Sequence, residues 1–328
     1  MLNIAVVGAT GNVGREILRI VDSSGLKTNK VIPLASDKSV GKLVSFGDKD
    51  LEVLSLAEFN FNRADIVFFA TGASVSKEYV HLASKQCKLV IDLSSYFRTQ
   101  EKIPLIVPEV NSHDIGANNI ISNPNCVVIQ IATAMHKLHD VAEMKKIILS
   151  TYQSVSGAGK IAMDTLYHES SNKIFNAFSE LDKKNALAFN LVPKIDEFTD
   201  SGYTGEEVKI MEEIKKIFGS SIEVSSTCVR VPVFVGHCIS AHVEFLNDIT
   251  AKNARNILED SEGVIVADHG EYHTPLECIG RDEVFISRIR QDTSKSLNFW
   301  IVADNLRKGA ALNAVQIAQF FIDKKLRI

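Results

Sequence analysis

The 328-residue chain is 45% hydrophobic and 23% charged, with a formal net charge of −4, the profile of a globular protein with material for about two domains. Its basic residues are scattered among acidic ones, which argues against a nucleic-acid partner, and its apolar runs are too short to span a membrane. Five cysteines, odd in number and without a Cys-x-x-Cys pair, argue against a disulfide framework or a metal site of the zinc type; with no basic leader before the first strand, the chain reads as cytoplasmic.

Short apolar strands at 2–7, 30–35, 65–70, 88–92 and 119–122 alternate with helical stretches, the pattern of a parallel, helix-covered sheet in an α/β fold. The first strand runs into Gly8-Ala9-Thr10-Gly11-Asn12-Val13-Gly14, which opens a helix carrying Val13, Ile17, Leu18 and Val21 at helical spacing. Glycines at a strand-to-helix turn let the backbone approach a pyrophosphate while the helix N-terminus offers N–H donors, so this turn reads as a dinucleotide site. The end of the second strand, Leu34-Ala35-Ser36-Asp37-Lys38-Ser39, gives a divided signal. Asp37 could accept from a ribose 2′-hydroxyl, whereas Ser36, Lys38 and Ser39 could hold a 2′-phosphate.

Ser122-Asn123-Pro124-Asn125-Cys126 precedes the apolar helical run Val127, Val128, Ile131, Met135 and Leu138, which puts the Cys126 thiol at a helix N-terminus. Positive dipole and backbone donors there favour a thiolate and could hold an oxyanion. A small buried cysteine filling a junction is the bland alternative. Beyond it lie candidate strands at 145–153, 223–233, 239–246, 284–291 and 297–304, the last two joined as an antiparallel hairpin. Tyr152 to Lys160 reads as a strand ending in a small-residue loop, with Gln153 at its start. Glu206 and Lys209, three apart on a predicted helix, make by themselves only a surface pair contributing roughly 0.2–0.5 kcal/mol. Arg230 to His237 places a guanidinium and an imidazole in an apolar run, where each needs a partner or a ligand. A lone histidine there is commonly a satisfied core residue, but beside a nucleophilic cysteine and an anion-binding arginine it is a general-base candidate. A final helix at about 306–325 is expected to pack back on the first domain.

These motifs, together with Ser94-Ser95-Tyr96-Phe97-Arg98 and Asp304 to Ala311, occur in an order that resembles the bacterial aspartate-semialdehyde dehydrogenases from end to end. The resemblance implies a Rossmann-like parallel-sheet NADP-binding domain, residues 1–125 completed by a C-terminal helix at 305–328. It implies an α+β catalytic and dimerisation domain, 126–304, with a largely antiparallel sheet. It makes Cys126 the acyl-thioester nucleophile, His237 the acid/base, Gln153 a substrate-orienting amide, Arg230 the clamp for the substrate α-carboxylate and Glu206 the partner of its ammonium. Arg98 and Lys209 would bind phosphate, with Asn125 assisting. Gly8, Thr10, Gly11, Asn12, Val13 and Gly14 would hold the pyrophosphate, with Ser36, Lys38 and Ser39 at the 2′-phosphate and Ser156, Gly157 and Asn305 near the nicotinamide. The family arginine after the second strand is replaced here by Lys38, which removes a bidentate, stacking group.

The activity implied is NADP-dependent, reversible reductive dephosphorylation of 4-phospho-L-aspartate to L-aspartate 4-semialdehyde by a homodimer, in lysine, threonine, methionine and diaminopimelate biosynthesis. An N-acetyl-glutamyl phosphate reductase would need no carboxylate for a free ammonium and would carry glycine in place of Asn125. A non-catalytic relative could dispense with Cys126, His237 or Arg230, all of which are present.

Overall fold

A computed structural model describes residues 1–116, 118–175 and 184–325; the last three positions of the 305–328 segment lie outside the described residues. The chain divides into two compact units, one of residues 1–125 with those from Ala310 onward, the other of Cys126–Gly309.

In the first unit the elements are β1 (Leu2–Val7), α1 (Asn12–Ser23), β2 (Thr28–Ala35), β3 (Leu43–Phe46), β4 (Lys49–Glu52), β5 (Leu54–Ser55), β6 (Ile66–Phe69), α2 (Ala73–Ser84), β7 (Leu89–Asp92), α3 (Pro108–Asn111) and β8 (Ile120–Ser122). A six-stranded sheet has the order β5-β2-β1-β6-β7-β8, and every pairing in it is parallel. Period-two alternation sends neighbouring residues to opposite faces. Ile4, Val6, Phe68 and Ile91 pack with Ile17, Leu18 and Val21 of α1, while Ala5, Val7, Phe69 and Val90 pack with Val80 and Ala83 of α2. Both faces are covered, which is why the central strands read as continuous apolar runs. The terminal helix, Asn313–Lys325, adds Val315, Ile317, Ala318 and Phe321 to the α1 face. The β3–β4 hairpin and the short β5 are additions to the expected strands.

In the second unit the elements are α4 (Cys126–Ala142), β9 (Met144–Gln153), α5 (Lys160–Phe175), α6 (Gly205–Phe218), β10 (Glu223–Arg230), β11 (His237–Phe245), α7 (Ala251–Glu259), β12 (Val264–Val266), α8 (Pro275–Cys278), β13 (Val284–Thr293) and β14 (Ser296–Ala303). Its sheet runs β10-β9-β11-β14-β13-β12. The three central pairings are antiparallel and the two outer ones parallel. The apolar stripe of α4, including Val127, Val128, Ile131, Met135 and Leu138, lies in one core with Ile147, Leu149, Ile239, Phe299 and Ile301 of the sheet. The expected strand at 223–233 ends at Arg230, ahead of Pro232, which has no N–H for the ladder. The expected strand at 239–246 begins earlier, at His237. The segment expected as one helix over about 306–325 opens as π-helical turns over Arg307–Leu312 before the α-helix begins. Among the described residues no helix is long and apolar enough to cross a membrane.

Candidate active site

Strand register brings the chemistry of the second unit to one end of its sheet. Arg230, the last residue of β10, pairs with Gln153, the last of β9. β11 runs antiparallel beside β9 with Cys238 opposite Tyr152, so His237 begins β11 at the same end. The loop after β9 then folds over these residues. Arg230 Nη1 donates to Ser154 O at 2.6 Å. The Ser154 N–H donates to His237 Nδ1 at 3.0 Å, and its Oγ lies 3.0 Å from the same nitrogen.

A backbone amide can only donate, so Nδ1 carries the lone pair and the proton of a neutral His237 sits on Nε2. The ring is fully buried. Burial, reinforced by the Arg230 guanidinium, pushes its pKa down to about 3. Among the described residues Nε2 is a buried nitrogen with no hydrogen-bond partner. A Cβ built on Gly157 would lie 3.4 Å from that nitrogen and 3.5 Å from Arg230 Nη1. Glycine thus leaves open a place that both groups border.

Gln153 is buried, its Nε2 3.3 Å from Glu206 Oε1 and 3.4 Å from Thr151 Oγ1. Glu206 sits in the first turn of α6, whose start is fixed by a capping box. Thr204 Oγ1 accepts from Glu207 N, and Glu207 Oε2 accepts from Thr204 N at 2.7 Å. Glu207 Oε1 also accepts from Cys228 N at 2.8 Å, fastening α6 to β10. Burial holds the pKa of Arg230 below the ordinary arginine value, while the Cys126 sulfur, Glu206 and Asp196 act in the opposite direction. Cys126 is the first residue of α4 and half-buried. Lys209 does not stand apart as an anion ligand: its ammonium meets Asp196 Oδ2.

Asn305 and Ser156 join the same hydrogen-bond network. Asn305 Oδ1 accepts from Gly236 N at 2.9 Å and from Ser154 Oγ at 3.1 Å, and its Nδ2 donates to Ser156 Oγ at 2.9 Å. Two positioning residues had no separate signal in the sequence. Ser154 fixes the His237 tautomer, and Gly309 packs so closely that a Cβ on it would lie 3.0 Å from Cys126 Cβ. Gly309 is delivered by a turn in which Asp304 Oδ1 accepts from the N–H groups of Leu306 and Arg307.

In the first unit, Gly8 has φ +81 and a Cβ there would lie 2.3 Å from Ala70 O; at Gly14 it would lie 2.2 Å from Gly8 O. These clashes show a cradle that only glycine permits, followed by α1, whose N-cap is the side-chain-free Gly11. Thr10 lies in this turn and Asn12 and Val13 open α1, so the residues fit a dinucleotide pyrophosphate. After β2, Asp37 Oδ1 accepts from Ser55 Oγ at 2.7 Å, and Lys42 Nζ donates to Ser39 Oγ at 3.4 Å. Ser36 precedes and Lys38 sits within this turn. Arg98 Nε donates to Asn123 O at 3.0 Å and its Nη2 to Leu93 O at 2.8 Å, and Asn125 is buried. Arg98 and Asn125 belong to the first unit and Lys209 to the second.

Residues 3–118 match the family model described as semialdehyde dehydrogenase, NAD binding domain, and residues 135–308 the one described as semialdehyde dehydrogenase, dimerisation domain. The chain is similar to the aspartate-semialdehyde dehydrogenase of Rickettsia conorii, 47% identical and covering 99% of this chain and 98% of that one. It is 44% identical to the enzyme of that name from Legionella pneumophila, with 97% and 95% covered. Among solved structures, aspartate semialdehyde dehydrogenase II from Vibrio cholerae matches with a TM-score of 0.96 at 39% identity, over 99% of both chains. The same enzyme complexed with ASA matches with a TM-score of 0.96 at 38% identity, again over 99% of both.

Proposed function

Because the chain belongs to the aspartate-semialdehyde dehydrogenase family, we propose that it catalyses the NADP-dependent, phosphate-dependent interconversion of L-aspartate 4-semialdehyde and 4-phospho-L-aspartate through a Cys126 thioester. The observation that carries this reading is the convergence of His237 Nε2 and Arg230 Nη1 on the space over Gly157, with Gln153 and Glu206 hydrogen-bonded beside them.

In the oxidative direction the Cys126 thiolate adds to the aldehyde carbon and the carbonyl oxygen takes the negative charge. As the acid/base, His237 starts from its neutral form, so its first act is to donate the Nε2–H hydrogen bond to that oxygen. A bound nicotinamide would supply the hydride acceptor. The carbonyl re-forms as a thioester. Hydrogen phosphate then attacks the acyl carbon, the C–S bond breaks to return the thiolate, and the proton lost overall is the one phosphate carried. Arg230 offers a fork for the α-carboxylate and Glu206 a carboxylate for the ammonium, opposite charges matched to an amino acid. Arg98, Lys209 and Asn125 serve the phosphate; Ser156, Gly157 and Asn305 serve the nicotinamide end.

For the cofactor, the glycine cradle suits the pyrophosphate of either nicotinamide dinucleotide. NADP is favoured because the Asp37 carboxylate is already engaged by Ser55, and Lys42 joins Ser36, Lys38 and Ser39 around the turn. A homodimer is supported by the dimerisation-domain match and by large apolar side chains exposed on the second unit, among them Ile161, Tyr167 and Ile174 of α5. Metabolically the reaction runs toward the semialdehyde, in the cytoplasm, at the branch to lysine, threonine, methionine and diaminopimelate.

The test follows nicotinamide absorbance with L-aspartate 4-semialdehyde and inorganic phosphate, with NADP and NAD in parallel. Phosphate-dependent reduction of NADP that Cys126→Ser abolishes while NADPH binding persists is the expected result. An active serine variant sinks the covalent route, and a folded wild-type protein inactive with both cofactors returns the choice to the N-acetyl-glutamyl phosphate reductase or a non-catalytic relative.

A further inference from the structure

The loop ahead of α6 is shaped around one carboxylate. Asp196 has φ 67, a left-handed conformation that aspartate adopts more readily than most side chains. The loop is closed by the antiparallel bridge between Phe198 and Thr204 and by the Gly205 N–H, which donates to Glu197 O at 2.9 Å. A Cβ on Gly205 would lie 3.2 Å from Asp196 Cβ and 3.5 Å from its Oδ2. Glycine at 205 therefore leaves the room in which the Asp196 carboxylate lies over the first turn of α6. There its Oδ2 meets the ammonium of Lys209, further along the same helix.

Routine helix pairs join residues three or four apart; this one joins residues 13 apart, and it depends on both a left-handed aspartate and a glycine. Lys209 is 33% and Asp196 46% exposed, so the pair is open to solvent and weak enough to be exchanged for a better ligand.

We propose that Asp196 is a positioning residue that holds the Lys209 ammonium while the phosphate subsite is empty, and that the incoming phosphate displaces the carboxylate. This rests on the reading of Lys209 as a phosphate ligand. The exchange makes every phosphate bind against a competing anion. Phosphate affinity is thereby held down, and the departing acyl phosphate leaves as Asp196 takes Lys209 back.

The experiment measures KM for inorganic phosphate and for L-aspartate 4-semialdehyde in the wild-type protein, Asp196→Asn, Asp196→Glu and Lys209→Ala, with NADP saturating. Asparagine also tolerates the left-handed backbone, so Asp196→Asn keeps the loop. Its KM for phosphate is expected to fall roughly threefold to fivefold, the shift set by releasing an exposed ion pair, with the semialdehyde KM unchanged and Asp196→Glu returning toward wild type. An unchanged phosphate KM in Asp196→Asn overturns the proposal in favour of a passive surface pair. A raised one overturns it too, because the carboxylate would then be assisting phosphate. Lys209→Ala separates the two readings. If it raises the phosphate KM while Asp196→Asn does nothing, the exchange alone fails; if it leaves the phosphate KM at the wild-type value, Lys209 is no phosphate ligand and the underlying assignment fails.

Discussion

His237 is the residue whose surroundings constrain the chemistry most. A fully buried imidazole, receiving the Ser154 N–H on Nδ1 and facing a guanidinium, stays neutral with its pKa pushed down to about 3. An unfolded histidine titrates near about 6.5. Between those values the unfolded chain binds a proton that the folded chain refuses, so stability falls as pH drops through this window and is fully present above it. His237→Gln removes that proton from the balance. The expected outcome is a melting temperature that declines less steeply in the variant than in wild type between about pH 6.5 and pH 4; parallel declines, after both are shown to be folded at pH 7.5, would mean that His237 is not the buried neutral group. The tautomer was beyond the sequence. Ser154 stands in a run of small residues with nothing to mark it, and only the pairing of β9 with β11 brings its amide to the imidazole.

At the scale of elements, what the sequence revealed depended on how local the constraint was. The glycine turn before α1 was legible because its backbone geometry is enforced within a few residues: a Cβ on Gly14 collides with Gly8 O. The convergence of Gln153, Arg230 and His237 was not readable from spacing, since it depends on the register of β10, β9 and β11 across long separations; only resemblance to a family supplied it. The π-helical start of the last helix went unread for a similar reason, because Asp304 organises it from a turn whose residues carry no helical periodicity. The turn after β2 lies between these cases. Its residue types gave opposed signals, and the structure shows Asp37 engaged by Ser55. If that engagement keeps the carboxylate from the ribose, Lys38→Ala should lower the preference for NADP over NAD about tenfold, the size of one lost charge-assisted hydrogen bond. Ser55→Ala should shift it in the same direction by less. Ratios of kcat/KM together with titration of 2′,5′-ADP would check both, and a Ser55→Ala variant with wild-type selectivity would show that Asp37 plays no part.

For the whole molecule, the order of the chain and the order of its cores differ. The terminal helix follows the second unit in sequence yet completes the core of the first, and Asn313 Nδ2 donates to Ile106 O at 3.0 Å and Asn123 Oδ1 at 2.8 Å. Val315, Ile317 and Phe321 are all buried there. At about 1.5–3 kcal/mol for each such side chain, their loss approaches the roughly 5–15 kcal/mol that stabilises a typical folded protein. The second unit draws its own core from α4, α6, α7 and the mixed sheet, all between Cys126 and Gly309. A chain ending at Gly309 should therefore lose the first unit selectively. Limited proteolysis is expected to cut rapidly within residues 1–125 while leaving a resistant fragment spanning the second unit, and NADPH binding should vanish. Retention of NADPH affinity in the truncated protein would mean that the parallel sheet stands without its last helix, and a uniform loss of protease resistance would mean that the two cores fold as one.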